Sequence, residues 1–481
     1  MKILLINSNR YYAYPTIPVG LCIIADAVEN DGHDVCILDL FFSSNCKQAL
    51  QDKINLYKPD IVGIGIRNID NAAGYKTEFF LESIKNDIII PCKKFFSGPV
   101  VIGGAAVGIS GAEMLSFFGL EYAIQGEGEN SFVEFIRKYK HHEVLDSIKG
   151  LIIHKNGRIV VNNPPEYIVN SKPDFLGHHV FRFIDFNKYY KRYNARLQIQ
   201  TKRGCALHCV YCTYNRIEGK RFRLYEPQSI ADHIEFLVHQ TSIRAFEFTD
   251  NVFNIPLTHC KEVLKAIIQK KMDIDLTTMG LHPAAIDQEL IDLMKQSGFK
   301  ETDLGVEAAC DISLKNLGKN FTKAHVLNAG ELLYKNNIHI NWCLLLGAPN
   351  ETESTIRETI ETITHAANKW DLISTGIGIR IYQGAPISDK NTSRQSLLLP
   401  VNYVPENISL EQIYDIVEEY ASNHFNILIY NDYEKKHNPL SRAVSNLVYA
   451  YSQEKIFSPD LPSWQWFILY KRFMKAIDHY L

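Results

Sequence analysis

Short apolar runs alternate with amphipathic segments along most of this chain, and that alternation restricts the fold more than any other pattern in it. In the first part, runs rich in Val, Ile and Leu occur at residues 3–6, 35–38, 61–66, 100–102 and 122–124. Helical patterns lie between them. Near-continuous apolar strands separated by helices are typical of a parallel sheet with helices on both faces. The sequence therefore predicts an α/β domain with a doubly wound, Rossmann-like sheet over residues 1–140.

A second series of strands and helices begins at Leu197 and continues to Arg380. Its roughly six repeats predict a partial (β/α)6 barrel over residues 196–390, with chemistry at the carboxyl ends of the strands. Residues 141–195 contain Asn156-Gly157, a hairpin signal, and several prolines, which indicates a linker or bridging segment. Residues 391–481 show no strand alternation and several aromatic helical stretches. They are expected to form a small C-terminal helical cap.

The bulk composition excludes several classes of protein. The chain has 481 residues, which is too long for one ordinary core, and its formal net charge is -3. That charge provides no strong attraction for nucleic acid or an anionic membrane. The apolar run at the N-terminus is too short for a signal peptide or a membrane span. We therefore expect a cytoplasmic protein without a membrane span or a nucleic-acid partner.

Ten cysteines in a chain without a signal peptide point to free thiols, metal ligands or catalysis rather than disulfides. Seven are scattered, mostly in apolar runs, and are expected to be buried in the core. The other three, Cys205, Cys209 and Cys212, form a C-x3-C-x2-C loop directly after the first strand of the second unit. Three thiolates on so short a loop bind one metal or cluster from one side and leave one position unfilled by the loop.

Zinc is the alternative occupant of this loop, with His208 or a distant residue as the fourth ligand. Zinc loops usually pair two C-x2-C units, and only one such unit is present here. An open coordination position is also what a catalytic site needs. The pattern therefore favours a cluster that binds a substrate or cofactor at its remaining corner.

Polar and glycine-rich residues follow the strands of the first domain, at the edge where ligands bind in such sheets. Glycine lets a bulky ligand approach the backbone, and amides at the following helix N-termini suit phosphate or amide oxygens. The alternative is that the glycines only form tight turns. The candidate ligand-binding residues are Asn9, Arg67, Asn68, Gly103, Gly104, Gly126, Glu127 and Gly128.

The cysteine loop, with the aromatic Tyr211 before its last cysteine, resembles the cluster loop of the radical S-adenosylmethionine superfamily. The resemblance implies that Cys205, Cys209 and Cys212 hold a [4Fe-4S] cluster, whose open iron binds the amino and carboxylate groups of S-adenosylmethionine. One electron from the cluster would release a 5′-deoxyadenosyl radical. An electron donor such as flavodoxin or ferredoxin is therefore an expected partner.

The resemblance continues along the barrel. Asp250 ends the second strand, where the family contacts the methionyl amine, and Glu307 ends the fourth, where it contacts ribose or amine. Gly347 and Pro349 belong to a turn that resembles the family's G-x-P-x-E-T turn beside the adenine, and Arg380 belongs to a region that resembles the family's sixth strand. The alternative is that Asp250, Glu307 and Arg380 are ordinary charges at a barrel mouth.

The first domain resembles the cobalamin-binding domain found in one large branch of that superfamily. The resemblance rests on the order and spacing of residues 18–21, 31–35, 103–104 and 126–129. The D-x-H-x-x-G motif that supplies a histidine to cobalt elsewhere is absent, so the lower face of cobalamin is expected to lack a histidine, and His33 is read as a turn residue. Arg67 and Asn68 are the candidates to face cobalt or the corrin edge.

Together these resemblances imply a cobalamin-dependent radical enzyme. The leading interpretation is a methyltransferase acting on an unactivated carbon of a small-molecule or natural-product substrate, with methyl delivered by methylcobalamin. One alternative is oxidative cyclisation or rearrangement, as carried out by porphyrin-ring cyclases of this branch. Another is a non-catalytic metal or cobalamin sensor whose C-terminal helices bind a partner.

Overall fold

The computed structural model describes residues 1–11, 15–155, 157–161, 167, 181–388, 398–430 and 462–478. Its N-terminal domain is built on five parallel strands: β1 (Lys2–Asn7), β2 (Asp34–Asp39), β3 (Ile61–Gly65), β4 (Val100–Gly103) and β5 (Tyr122–Ile124). They lie side by side in the order β2-β1-β3-β4-β5. The strand order reverses direction between β1 and β3, and ligands bind at such a point in doubly wound sheets.

Helices cover both faces of this sheet, as the sequence predicts. Alternate residues of β1 enter two different cores, since Ile3 and Leu5 belong to one cluster of buried side chains and Leu4 and Ile6 to the other. A π-helical segment, Lys85–Ile89, joins two of the helices. The helices are α1 (Val19–Asn30), α2 (Cys46–Tyr57), α3 (Leu81–Ile84), α4 (Ile90–Phe95), α5 (Ala105–Phe118) and α6 (Gly128–Lys140).

The sheet extends past the predicted domain boundary at residue 140. The expected hairpin is present as β6 (Leu151–Lys155) and β7 (Arg158–Val161), but β6 also pairs antiparallel with β5. The pairing buries Leu151 and Ile152, and the burial of these apolar side chains favours a segment that joins the sheet over one that bridges two domains. Pro164, Pro165 and Lys172-Pro173, which were expected to break regular structure, lie outside the described residues. Helix α7 (Phe186–Tyr193) then leads into the second domain.

The second domain contains the expected partial barrel of parallel strands. Two isolated bridges, Leu276 to Phe299 and Leu281 to Leu304, connect its two halves. Its strands are β8 (Leu197–Ile199), β11 (Ala245–Phe248), β12 (Asp275–Thr278), β13 (Glu301–Glu307), β14 (His339–Leu346) and β15 (Leu372–Ile377). Its helices include α9 (Pro227–Gln240), α10 (Leu257–Gln269), α11 (Gln288–Ser297), α12 (Asp311–Asn316), α13 (Lys323–Lys335) and α14 (Glu353–Ala366). The short strands β9 (Lys202–Arg203) and β10 (Arg223–Leu224) form a separate antiparallel pair.

The C-terminal region is not purely helical, which corrects the sequence prediction. Strand β16 (Ile379–Arg380) pairs with β17 (Asn402–Tyr403), and β18 (Ile427–Ile429) pairs parallel with β15 as a seventh strand at the barrel edge. Three residues are too few to show a periodic pattern, so only the tertiary pairing reveals β18. The remaining described elements are α15 (Leu410–Asn423) and α16 (Gln465–Asp478). Among the described helices, none has the length and apolar character needed to cross a bilayer.

Buried polar contacts join the two domains. The Arg380 Nε donates to Asp70 Oδ2 at 2.8 Å, and both side chains are almost completely buried. The Tyr382 hydroxyl donates to the other oxygen of Asp70. Nearby, the backbones touch directly, because a Cβ added to Gly74 would lie 2.2 Å from the carbonyl carbon of Gly378. The contacts therefore fix the first domain against the end of the sixth barrel strand.

We expect Asp70→Asn to destabilise the protein, because Arg380 would keep a buried charge without a counter-charge. Removing one partner of a buried ion pair costs about 3–5 kcal/mol. The measurement is the midpoint of denaturant-induced unfolding. The control is Glu353→Gln, which removes an exposed partner of Arg357 and should cost less than about 1 kcal/mol. Equal midpoints for the two variants would show that the buried pair does not hold the domains together.

Candidate functional site

The loop that carries the three cysteines starts with a turn that only glycine fits. Gly204 has a φ of +85°, and a Cβ there would lie 2.1 Å from the carbonyl oxygen of Arg221. The Gly204 N–H donates to Glu218 Oε2 at 3.1 Å, and the Cys205 N–H donates to the carbonyl of Gly219 at 3.0 Å. The first cysteine is therefore fixed in position by the chain that leaves the loop through α8 (Tyr214–Ile217).

The three loop cysteines are free thiols. Burial raises the pKa of Cys205, and it raises the pKa of Cys212 to about 12. A ligand to these sulfurs must therefore supply the positive charge that stabilises thiolates. Three thiols on one loop are the donor set of a [4Fe-4S] cluster with one open iron, in which each sulfur binds its own iron atom.

The geometry does not favour the zinc alternative. Among the side chains that the structure describes, no group of three or more His, Cys, Asp or Glu residues is arranged to hold a single metal ion. His208, the proposed fourth ligand, is exposed. The cysteine loop therefore fits a cluster better than a single ion.

Tyr211 belongs to a polar triad beside the cysteines. Its hydroxyl donates to Glu307 Oε1 at 2.7 Å, and Lys319 Nζ lies 3.0 Å from the Tyr211 oxygen and 2.8 Å from Glu307 Oε2. Burial alone would lower the pKa of Lys319, but the charges of Glu307 and Cys209 raise it overall. Glu307 has a φ of +56° at a register shift in β13, which turns its side chain toward the loop. Lys319 was missed from the sequence because it belongs to no motif.

Two residues predicted to contact a cofactor have partners within the chain. Asp250 accepts hydrogen bonds from the N–H and hydroxyl of Thr201 and from the N–H of Lys202, and its side chain is not exposed. It therefore stabilises the connection that leads into the cysteine loop. Arg380 is occupied by Asp70 and by backbone carbonyls, and only 1% of its side chain is exposed. The cofactor contacts predicted for Asp250 and Arg380 stay predictions.

The predicted turn after the fifth barrel strand is present. Gly347 has a φ of +103°, and the buried Glu351 carboxylate accepts from the N–H groups of Gly347 and Ala348 at 2.5 and 2.9 Å. The Pro349 carbonyl accepts from Asn316 Nδ2 at 2.8 Å. The glutamate of the motif thus holds its own turn at the carboxyl end of β14. The contact with adenine predicted for Gly347 and Pro349 stays a prediction.

A cavity of about 450 Å³ lies between the two domains. A Cβ added to Gly20 would contact nothing, and one at Gly103 would meet only a carbonyl oxygen at 3.9 Å, so open space lies over both backbones. Such walls, together with apolar side chains such as Leu21 and Ile66, fit the face of a large flat ligand. Of the candidate residues of the first domain, Asn68 does not line the cavity. Those that do are Asn9, Arg67, Gly103, Gly104, Gly126, Glu127 and Gly128.

The opposite wall of the cavity comes from the barrel. Gln200, Arg203 and Glu218, which flank the cysteine loop, line it. Glu127 of the first domain pairs with Arg203 at 3.5 Å and with Arg223 at 2.5 Å. These pairs bind the glycine-rich edge of the first domain to the start of the cysteine loop. Sequence reasoning missed both arginines, because the contacts join distant parts of the chain.

Two histidines bear on the cobalamin prediction. His33 lies beside Asp31, with a nitrogen 3.2 Å from the carboxylate, and does not line the cavity. His233 reaches the cavity from α9, and burial lowers its pKa to about 3, so its imidazole is neutral. The sequence did not single out His233. The expectation that no histidine reaches cobalt stays a prediction.

The two domains match two known families. Residues 9–136 match the B12 binding domain, and residues 199–363 match the radical SAM superfamily. The first match covers the glycine-rich strand ends of the first domain, and the second covers the cysteine loop and most of the barrel. The order of the two domains is the order expected from the sequence.

Several curated relatives share most of the chain. An uncharacterized methyltransferase of Pyrococcus horikoshii is 25% identical over 77% of this chain and 79% of its own length. The tryptophan 2-C-methyltransferase of Streptomyces laurentii is 23% identical over 79% of this chain and 73% of its own. An anaerobic magnesium-protoporphyrin IX monomethyl ester cyclase of Rubrivivax gelatinosus is 24% identical over 75% of this chain and 65% of its own.

A solved structure shares the whole architecture. The radical S-adenosylmethionine methyltransferase TsrM of Kitasatospora setae, with cobalamin and a [4Fe-4S] cluster bound, superposes with a TM-score of 0.83 at 20% identity and covers 99% of both chains. This likeness shows the fold of the chain. The two family matches identify a B12 binding domain over residues 9–136 and a radical SAM domain over residues 199–363 of the chain.

Proposed function

We propose that this protein is a cobalamin-dependent radical methyltransferase that acts on a carbon of a small-molecule substrate. The observation that carries the proposal is the shared cavity, which has the glycine-rich edge of the B12 binding domain on one side and residues flanking the cysteine loop on the other. A substrate placed there would meet both cofactor sites. The relatives named for methyl transfer support the same activity, and one of them is named for tryptophan.

When bound, the cluster and S-adenosylmethionine supply the radical chemistry and cobalamin supplies the methyl group. Cys205, Cys209 and Cys212 would hold the cluster. Glu307 and Lys319 lie beside Cys209 and present a carboxylate and an ammonium that suit the charged ends of an amino acid. A flavodoxin or ferredoxin as electron donor belongs to this proposal.

We expect Cys205→Ser, Cys209→Ser and Cys212→Ser each to lose the iron of the reconstituted protein, because serine is a poor ligand for iron in such clusters. The measurement is iron and sulfide content with the visible spectrum after anaerobic reconstitution. Cys36→Ser, a half-buried thiol outside the loop, should keep the iron of the unmodified protein. Purified protein that carries stoichiometric zinc and never becomes brown would contradict the cluster assignment.

The reaction mixture contains the reconstituted protein, hydroxocobalamin, a strong reductant and tryptophan as the first substrate tested. We expect 5′-deoxyadenosine and S-adenosylhomocysteine to form in step with methylated product. S-adenosylmethionine would be used both as the source of the radical and as the source of methyl. Mass spectrometry under anaerobic conditions measures all three compounds. S-adenosylhomocysteine without 5′-deoxyadenosine would show methyl transfer without hydrogen abstraction.

Two other outcomes of that experiment would support different functions. 5′-Deoxyadenosine without S-adenosylhomocysteine would support oxidative cyclisation, which the cyclase relative makes the second candidate. No consumption of S-adenosylmethionine with any substrate would favour a sensor.

Arg67 is our candidate to face cobalt, because it lines the cavity at the end of β3 whereas Asn68 does not. Beside bound cobalamin, the Arg67 guanidinium would disfavour a further ligand to cobalt and would make the methyl group easier to transfer. We expect Arg67→Ala to change the visible spectrum of bound cobalamin and to slow turnover, and Asn68→Ala to change neither. Unchanged cobalamin binding and turnover in Arg67→Ala would remove this assignment.

A further inference from the structure

The interior of the barrel is polar and open. Small barrels of parallel strands ordinarily fill their interior with branched apolar side chains. Here several residues that alternate with the buried, outward-facing positions are polar or glycine and remain partly accessible. Space that side chains do not fill is therefore present inside the barrel. These inward-facing residues include Gln198, Glu247, Asp303, Gly305, Cys343 and Gly376.

Arg196, Asp275 and Glu301 lie where their barrel strands begin, and together they form the floor of this interior. Arg196 lies 3.3 Å from Asp275 and 2.9 Å from Glu301. Glu301 also accepts a hydrogen bond from the Ser463 hydroxyl at 2.7 Å. Both ion pairs of Arg196 are therefore made with the floor carboxylates, which leaves the carboxylates above them without a direct cationic partner.

Two such carboxylates stand above the floor. Asp303 accepts a hydrogen bond from Asn341 Nδ2 at 3.0 Å, and Asn341 is itself fixed by the Ser374 hydroxyl at 2.7 Å. Glu247, on the neighbouring side of the barrel, makes no hydrogen bond and no ion pair with the described residues, and Arg196 and Arg67 act on it only from a distance. A carboxylate that lies inside a barrel without a partner is costly, and this points to a partner that arrives from outside the chain.

The electrostatics of the pair agree with this arrangement. The pKa of Asp303 is raised to about 8, mainly by burial and in part by the charges of Glu247 and Glu301. Burial also raises the pKa of Glu247. Both carboxyl groups would ionise more readily beside a positive charge.

We propose that Glu247 and Asp303 form the recognition site for a cationic nitrogen of the substrate, such as a protonated amine. The inference rests on the proposed function, because it assigns a substrate class to that same site. An organic cation is favoured over a metal ion, since the described residues include no group of three metal-binding side chains there. Gly305 and Gly376 add no side chain to this interior, and Tyr430 lies beside Gly376.

The geometry also limits the length of the substrate. Asp303 and Glu307 are inward-facing positions on the same strand, four residues apart, which corresponds to roughly 13 Å along a strand. Glu307 lies beside the cysteine loop, where the chemistry would start. The reacting carbon therefore lies within about that distance of the bound nitrogen, as in an amine the size of an amino acid.

The test compares amines with alcohols of the same shape on the reconstituted holoenzyme without turnover. The pairs are tryptamine with tryptophol, 2-phenylethylamine with 2-phenylethanol, and butylamine with butanol, and the measurement is the dissociation constant from ligand-observed NMR. At least one amine should bind about tenfold more tightly than its alcohol, because charge-assisted hydrogen bonds are the stronger ones. Glu247→Gln and Asp303→Asn should reduce that preference to about twofold or less.

Cys343→Ala is the matched control, because it changes an inward-facing side chain without removing a charge. It should keep most of the preference for the amine, and all three variants should keep the iron and cobalamin content of the unmodified protein. Equal binding of every amine and its alcohol, or a preference that survives in both carboxylate variants, would overturn the proposal.

The two proposals fail in different ways. Methyl transfer to a substrate without an amine would leave the proposed function intact and contradict the cation site. Loss of amine binding in the carboxylate variants, without any methyl transfer by the unmodified protein, would support the cation site and contradict the proposed function.

Discussion

The ion pairs between the two domains are the interactions on which the site depends. Glu127 and Glu129 of the B12 binding domain reach Arg203 and Arg223 of the barrel, and Arg203 lies two residues before the first cysteine of the loop. Ion pairs with this little exposure depend strongly on geometry, even where they add little net stability. They therefore fix the orientation of the cysteine loop relative to the glycine-rich edge of the first domain.

Three carboxylates of β13 lie at different depths of the barrel and have different partners. On β13, Glu301 compensates Arg196 at the floor, Asp303 faces the open interior, and Glu307 meets Tyr211 and Lys319 at the top. Because inward positions recur at every second residue, one strand places one carboxylate at the floor, one in the interior and one beside the cysteine loop. A local change of register at Gly305 then aims the last of them toward the cysteines.

Local patterns in the sequence predicted much of the fold and part of the site. The alternation of strands and helices, the cysteine loop and the glycine-rich strand ends are all short-range signals, and each is present in the structure. The contacts that the sequence did not predict join positions that are far apart along the chain. Asp70 and Arg380, for example, are 310 residues apart, so nothing near either residue reveals that they share a buried ion pair.

The same limit applies to β18 and to Lys319. A strand of three residues carries no periodic signal, and the lysine reaches Glu307 only after the chain has folded back over the barrel mouth. Asp250 was placed at the correct strand end, but its hydrogen bonds to Thr201 and Lys202 depend on the path of the neighbouring strand. Position along the strand was predictable, whereas the partner of each side chain was not.

The direct backbone contact between Gly74 and Gly378 has a consequence for attempts to build chimeric enzymes. At that point two main chains meet with no side chain between them. A domain transplanted from another protein would need glycine at both positions, since even an alanine methyl group would force the two halves of the chimera apart. Any recombination boundary should therefore keep both glycines together with the segments around them.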